Sequence, residues 1–126
     1  MRVRAATPAD RAAVANVLDG AALETDPDLL AASLERGETF VAVAGQDGEG
    51  VLGALVLDGD RIVSVAVRLR RRGQGIGSAL VERALAERGR LVATFDEDVR
   101  PFYEKLGFEI GPVEGESARY RGRREG

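Results

Sequence analysis

The chain has 126 residues, of which 44% are hydrophobic and 31% charged, and this composition predicts a single globular domain over residues 1–126. Cysteine and histidine are both absent, which excludes disulfides, thiolate nucleophiles, zinc–thiolate sites and an imidazole base. The net charge of −3 provides no overall attraction for nucleic acid. Without cysteine or histidine ligands we also expect no metal. Because the sequence has no long apolar run and no signal pattern, we expect a cytoplasmic protein with no membrane partner.

The first third of the chain predicts a strand and two helices. Residues 2–6 suit a short edge strand. Thr7 and Pro8 then begin a helix that ends at Gly20, because Thr is a good helix cap, Pro fits the first helical position and Gly commonly ends helices. A second helix is predicted over residues 26–37, between an Asp-Pro start and a terminal glycine.

The middle of the chain predicts three consecutive strands. They are residues 39–44, 51–57 and 62–67, separated by a glycine-rich loop at 45–50 and a tight hairpin turn at 58–60. All three strands are mostly apolar, and a nearly continuous apolar run is typical of a strand buried on both faces. We therefore expect a sheet covered by helices on both sides.

The stretch after the third strand combines arginines with glycines at the start of a helix. Four arginines lie within residues 68–72, and three glycines follow at every second position. Glycines let the backbone approach a ligand closely, and free N–H groups and arginines bind anions, so this turn predicts a pyrophosphate cradle (residues 72–78). The alternative is a surface turn with solvated arginines. A P-loop would need a lysine here, and the dinucleotide-binding fingerprint would need glycine at Leu80.

The last third of the chain predicts a parallel strand, a short helix and a hairpin. Residues 91–95 follow the cradle helix and should pair in parallel with strand 62–67 through a right-handed crossover. A short helix is expected over residues 99–106. A hairpin then starts at residue 108 and returns over residues 117–121. Residues 122–126 are predicted to be a frayed tail.

Two motifs identify the family that the chain resembles. Arg72-x-x-Gly75-x-Gly77 is followed about 25 residues later by Pro101-Phe102-Tyr103-Glu104-Lys105-Leu106-Gly107-Phe108, and over residues 62–110 the chain resembles the GCN5-related N-acetyltransferase (GNAT) superfamily. The resemblance implies an α/β (α+β) fold, with a mixed central sheet of six to seven strands, a splayed parallel pair and about four flanking helices. It also implies acetyl-CoA as acyl donor and direct transfer of acetyl to an amine, without a covalent enzyme intermediate.

The resemblance also implies which residues bind the donor. The pantetheine arm should pair with the backbone of Val65, Ala66 and Val67. The pyrophosphate should lie on the amides of the cradle, with Arg72 alongside; the amides are those of Gly73, Gln74, Gly75, Ile76, Gly77 and Ser78. Many members have asparagine where this chain has Asp96. That carboxylate either weakens cofactor binding or faces the acceptor instead.

Tyr103 is the expected catalytic acid. The resemblance assigns to this tyrosine the donation of a proton or hydrogen bond to the departing CoA sulfur, and a phenol is protonated at neutral pH. The alternative is that Tyr103 is a core aromatic beside Phe102 and Phe108.

The acceptor and its base are the least specified parts of the site. Relatives that acetylate protein N-termini carry a glutamate where this chain has Leu91, so we expect a small-molecule primary amine as acceptor. Candidate bases are Glu24, Glu38, Asp96 and Glu97; Glu24 and Asp26 can face the substrate or merely form a solvated helix start. Alternatives are a protein or peptide N-acetyltransferase, an enzyme that acts on aminoacyl-tRNA, and a non-catalytic CoA-binding sensor module. The sequence does not determine the oligomeric state, and a homodimer is one possibility.

Overall fold

The computed structural model describes residues 1–21, 23, 25–44 and 50–126. Within them seven strands form one mixed sheet in the order β1-β2-β3-β4-β5-β7-β6. The strands are β1 (Arg2–Ala5), β2 (Thr39–Val43), β3 (Val51–Asp58), β4 (Arg61–Val67), β5 (Arg90–Asp96), β6 (Glu109–Pro112) and β7 (Arg119–Glu125). The helices are α1 (Arg11–Gly20), α2 (Pro27–Glu35), α3 (Ile76–Arg88) and α4 (Arg100–Lys105), and 3₁₀ turns precede α1, the cradle and α4.

The predicted mixed sheet with one parallel pair and four helices is confirmed. Only β4 and β5 pair in parallel; all other neighbours in the described sheet are antiparallel. Most of the loop predicted over residues 45–50 lies outside the described residues, which resume at Gly50. None of the helices in the described part has the length and apolar character that crossing a membrane requires.

The helices cover the two faces of the sheet unequally. α3 and α4 pack on one face, where Leu80, Val81 and Tyr103 join a core that extends to β5 and β6. α1 and α2 pack on the other face, where Val14 and Leu30 join a core that reaches no further than β4. Among the described elements, therefore, no helix covers the second face of β5, β7 and β6.

Two predictions about β-strands were wrong. Residues 122–126 are not a frayed tail, because β7 runs to Glu125 and inserts between β5 and β6, pairing with both strands. Gly122 makes this insertion tight: a Cβ atom there would lie 3.1 Å from Cε1 of the Phe95 ring. β4 is not buried on both faces either, since Val63, Val65 and Val67 are only partly buried.

Candidate active site

The parallel pair opens into a cavity. β4 and β5 pair only at Arg61–Val92 and Ile62–Ala93, and beyond these positions no pairing joins the two strands as described. A cavity of about 460 Å³ lies where they diverge. Its walls come from β4, the cradle, β5, the 3₁₀ turn before α4, α4, β7 and the segment between α1 and α2. The lining residues are Ala21, Leu23, Ile62, Val63, Ser64, Val65, Ala66, Val67, Arg72, Gly77, Thr94, Phe95, Asp96, Val99, Phe102, Tyr103 and Arg119. The half-exposed valines of β4 are thus explained, because that strand forms one wall.

A second cavity continues the first one along the cradle. Its volume is about 500 Å³, and it is lined by Arg72, Gly73, Gly75, Ile76, Gly77 and Ser78 together with Val67, Arg71, Pro101, Phe102 and Lys105. Val67, Arg72, Gly77 and Phe102 line both cavities, so the two form one continuous cleft. The cleft runs from the start of α3 to the gap between β4 and β5.

The backbone of the cradle has the conformation that close approach to a ligand requires. Gly73 and Gly75 both have a φ of 79°, in the left-handed region that favours glycine, and both are exposed. The first intrahelical bond at this end runs from the Ala79 amide to the Gly75 carbonyl at 3.0 Å. The amides of residues 76–78 precede that bond, so no acceptor within α3 pairs with them and they can point at an anion.

Side chains around the cradle complete an anion-binding surface. The Arg72 Nε donates to the Val67 carbonyl at 3.2 Å, which holds this guanidinium between β4 and the glycines. The Ile76 side chain is buried in the core, so only its backbone is available to a ligand. A Cβ atom at Gly77 would lie 3.2 Å from Cε1 of Phe102, and glycine there lets that ring pack over the first turn of α3. Free amides, a positive helix end and a guanidinium fit a pyrophosphate.

Tyr103 is both a core aromatic and a residue of the cleft. Its ring stacks on Phe95 with centroids 4.5 Å apart and meets Phe102 and Phe108 edge-on at 5.0 Å each. Only 5% of the residue is exposed, and this burial raises the pKa of its phenol to about 12. Within the described residues the hydroxyl has no hydrogen-bond partner, yet it is not a fully buried oxygen. The hydroxyl therefore opens into the cleft and is available to a ligand.

Asp96 also lines the first cavity and forms an ion pair with Arg119. Arg119 is the register partner of Asp96 across β5 and β7, and its Nη1 donates to Asp96 Oδ1 at 2.7 Å. Both side chains line the first cavity together with Thr94. Nothing in the local sequence marks Arg119, because only the pairing of β5 with β7 brings it to Asp96.

A hydroxyl pair on the β4 side was also missed by the sequence analysis. Ser64 is 8% exposed, lines the first cavity, and its Oγ lies 3.2 Å from Thr25 Oγ1. A serine in the middle of an otherwise apolar strand was the one signal that could have found it.

Several predicted substrate or base residues do not line the cleft. Asp26 caps α2, and its Oδ1 accepts from the Asp28 amide at 2.8 Å. Glu97 accepts from the Tyr120 hydroxyl at 2.9 Å. Glu24 lies outside the described residues. Among the acids that the structure describes, Asp96 alone was both predicted as a base and placed in the cleft.

Glu38 belongs to an ion-pair cluster away from the cleft. Its carboxylate accepts from Arg36 Nε at 2.9 Å and from the Gly59 amide at 3.1 Å. Burial raises its pKa, but these hydrogen bonds and the charges of Arg36 and Arg88 outweigh burial, so the pKa lies below its ordinary value. A carboxylate held in this way is a structural anchor and a poor base. Across the described residues no group of three or more acids could hold a metal ion.

Comparison with known proteins agrees with the architecture. The diverging parallel pair and the glycine-rich start of α3 are what the resemblance predicted for an N-acetyltransferase. A family model described as "Acetyltransferase (GNAT) domain" matches residues 35–110, more than half of the chain. The chain belongs to the GNAT family of acetyltransferases.

Relatives of known sequence or structure extend this comparison. The peptidyl-lysine N-acetyltransferase YjaB of Salmonella typhimurium is 33% identical over 86 residues, which cover 66% of this chain and 58% of that protein. Rv2747 of Mycobacterium tuberculosis, solved in complex with CoA, superposes with a TM-score of 0.78 at 21% identity and 99% coverage of both chains. Ard1 of Thermoplasma volcanium superposes with a TM-score of 0.73 at 23% identity, covering 98% of this chain and 96% of its own. The two structures show a shared fold.

Proposed function

We propose that this chain transfers an acetyl group from acetyl-CoA to a primary amine in the cleft between β4 and β5. The observation that carries the proposal is the continuity of the cleft. It joins an anion-binding helix start at one end to the hydroxyl of Tyr103 at the other. A donor with a diphosphate, an extended arm and a reactive thioester matches these features in that order.

The cradle and β4 bind the donor in this proposal. Arg72 and the amides of residues 76–78 take the pyrophosphate, where the positive end of α3 adds favourable field. The β4 edge over residues 65–67 has lost β5 as a partner, so those of its backbone groups that face away from β3 can pair with the amides of the pantetheine arm. Solved relatives such as Rv2747 have been crystallised with CoA, which supports the same donor here.

Tyr103 assists departure of the thiolate. The amine nitrogen forms a bond to the acetyl carbon, the carbon–sulfur bond breaks with its electrons going to sulfur, and the nitrogen loses a proton. With a pKa of about 12, the phenol is a weaker acid than a thiol of pKa about 8.5. Complete proton transfer would cost about 5 kcal/mol, so we expect Tyr103 to donate a hydrogen bond to the forming thiolate.

The acceptor in this proposal is a small amine. The wall that faces it carries Ser64, Thr94, Asp96 and Arg119, and Leu91, which replaces a glutamate of the N-terminal acetyltransferases, is fully buried. A second candidate is a lysine side chain of a peptide or protein, which the activity named for the YjaB relative favours. The exposure of Thr94 and Asp96 gives either acceptor a route to the thioester.

The experiment that tests the function measures thiol release from acetyl-CoA with polyamines, aminoglycosides, amino acids, lysine-containing peptides and N-terminal peptides. Thiol release that depends on an amine and falls in Tyr103→Phe supports the transferase. CoA binding by calorimetry without thiol release for any amine would instead indicate a non-catalytic sensor module. Robust turnover of peptides without turnover of any small amine would favour the second candidate acceptor, a lysine side chain of a peptide or protein.

A further inference from the structure

The two faces of β5 carry different kinds of side chain. Leu91, Ala93 and Phe95 point into the core beside Tyr103, and the alternation of a strand places Thr94 and Asp96 on the other face. That face has no helix over it in the described structure, and Arg119 lies on it opposite Asp96. The cleft wall that faces away from Tyr103 thus ends in a carboxylate and a guanidinium.

The Asp96–Arg119 pair retains unused hydrogen-bonding capacity. Arg119 uses Nη1 for Asp96 at 2.7 Å, and its Nε and Nη2 have no partner within the part of the chain that the structure describes. The two side chains are 39% and 64% exposed for Arg119 and Asp96 respectively, so both reach the cavity without being buried. A guanidinium presents donors in a fork that matches a carboxylate, and a carboxylate has lone pairs for an ammonium.

We propose that the acceptor is a free amino acid, with its carboxylate bound by Arg119 and its amino group held at Asp96. This inference rests on the proposed transferase function and names its substrate class. The amine nitrogen and the carboxylate carbon of an α-amino acid are about 2.5 Å apart, because only Cα separates them. Asp96 and Arg119 also present opposite charges side by side, since Nη1 of Arg119 bonds Oδ1 of Asp96 at 2.7 Å.

Charge neutralisation explains why Asp96 is tolerated beside an anionic donor. Arg119 offsets the carboxylate that stands where many relatives have asparagine. Arg119 is also not a ligand for the donor's pyrophosphate, since it lies outside the cavity formed by the cradle. Both residues thus belong to the acceptor side. A lysine within a peptide has no free carboxylate, because its backbone groups are in amide bonds. With such an acceptor, the remaining donors of Arg119 would bond only to water.

β7 provides a matched control for Arg119. Arg121 follows two residues later on the same strand face, is exposed, and forms no ion pair within the described residues. It does not line the cleft. Arg121→Gln therefore removes the same charge from the same face at a position that pairs with Thr94 but does not itself line the cleft.

The test compares kcat/KM for free amino acids and for their α-carboxamides, with acetyl-CoA saturating. The twenty amino acids are screened first, and the best acceptor is paired with its amide. We expect the native chain to prefer the acid by about tenfold or more, because charge-assisted hydrogen bonds contribute at that level. Arg119→Gln should reduce the preference to about twofold, mainly through KM, and Arg119→Lys should restore part of it. Arg121→Gln should keep the native ratio.

An amino acid and its α-carboxamide differ in amine pKa, which affects the ratio of their kcat/KM values. This effect is the same for every variant, so it cancels when the ratio is compared between variants. An unchanged ratio in Arg119→Gln, or equal turnover of acid and amide by the native chain, would overturn the inference. Turnover of polyamines or peptides without any amino acid would overturn it and leave the transferase function standing. Absence of thiol release with every amine would overturn both.

Discussion

The ring of Tyr103 lies nearly parallel to the ring of Phe95, with 4.5 Å between centroids and 19° between planes. Phe95 is followed at once by Asp96, whose side chain points to the other face of β5. The strand β5 therefore positions the Tyr103 hydroxyl through a ring contact and carries the carboxylate of Asp96 itself. A shift of β5 would move both groups together.

Replacing Tyr103 by Phe should lower kcat about 10²-fold and leave CoA affinity and stability unchanged. The hydroxyl has no protein partner in the described structure, while the ring packs against three aromatics. Loss of one donor to a developing charge typically costs this much. Thiol-release kinetics and calorimetry measure the two effects. Tyr120→Phe is the control, since that hydroxyl bonds Glu97; a native rate in Tyr103→Phe would assign Tyr103 to packing alone.

The pH dependence of kcat should show no loss from Tyr103 between pH 6 and about 10. The phenol must be protonated to donate, its pKa is about 12, and donation is lost only as pH rises through that value. Rates measured across this range for the native chain and for Tyr103→Phe test the expectation. An alkaline fall below pH 10 that vanishes in the variant would contradict the raised pKa.

Replacing Gly75 by Glu should weaken CoA binding more than replacing it by Gln. Both side chains strain the left-handed φ of 79°, but only Glu adds a negative charge where we place the pyrophosphate. We expect at least a tenfold difference between the two variants by calorimetry, smaller at high salt. Equal CoA affinities of the folded Gly75→Glu and Gly75→Gln variants would show that the pyrophosphate does not bind at this turn.

Removing the carboxylate of Asp10 should destabilise the start of α1. Hydrogen bonds from Arg4 at 2.8 and 3.0 Å, opposed by burial, set the pKa of Asp10 at about 2. A lowered carboxyl pKa stabilises the fold above pH 4, and this contribution is lost as pH falls from about 4 to 2.

Asp10→Asn should therefore cost about 1–2 kcal/mol of unfolding free energy at pH 7 and much less near pH 2. Urea denaturation at both pH values measures the difference. Glu114→Gln removes one charge from an exposed position of the β6–β7 loop and should leave stability within about 0.5 kcal/mol. A cost for Asp10→Asn that does not shrink at low pH would point to helix geometry and away from the ion pair.

Most elements and the cradle were predictable because their signals are local. Glycines at fixed spacing, the Pro27 helix start and the apolar strands depend on neighbours along the chain, and α2, α3 and β2 to β5 lie where they were expected. The roles of Tyr103 and the cradle residues in binding and catalysis stay predictions, although the structure brings these residues to one cleft.

The sequence by itself determined the family, the order of the elements and the glycine turn at the start of α3, since each depends on short-range backbone preference and apolar patterning. Only the tertiary structure decided that β7 inserts between β5 and β6, that Glu38 lies in an ion-pair cluster, and that Arg119 meets Asp96 across 23 residues of chain. Strand pairing and ion pairs at such separations depend on which edges the folded sheet leaves free. No local pattern encodes that choice.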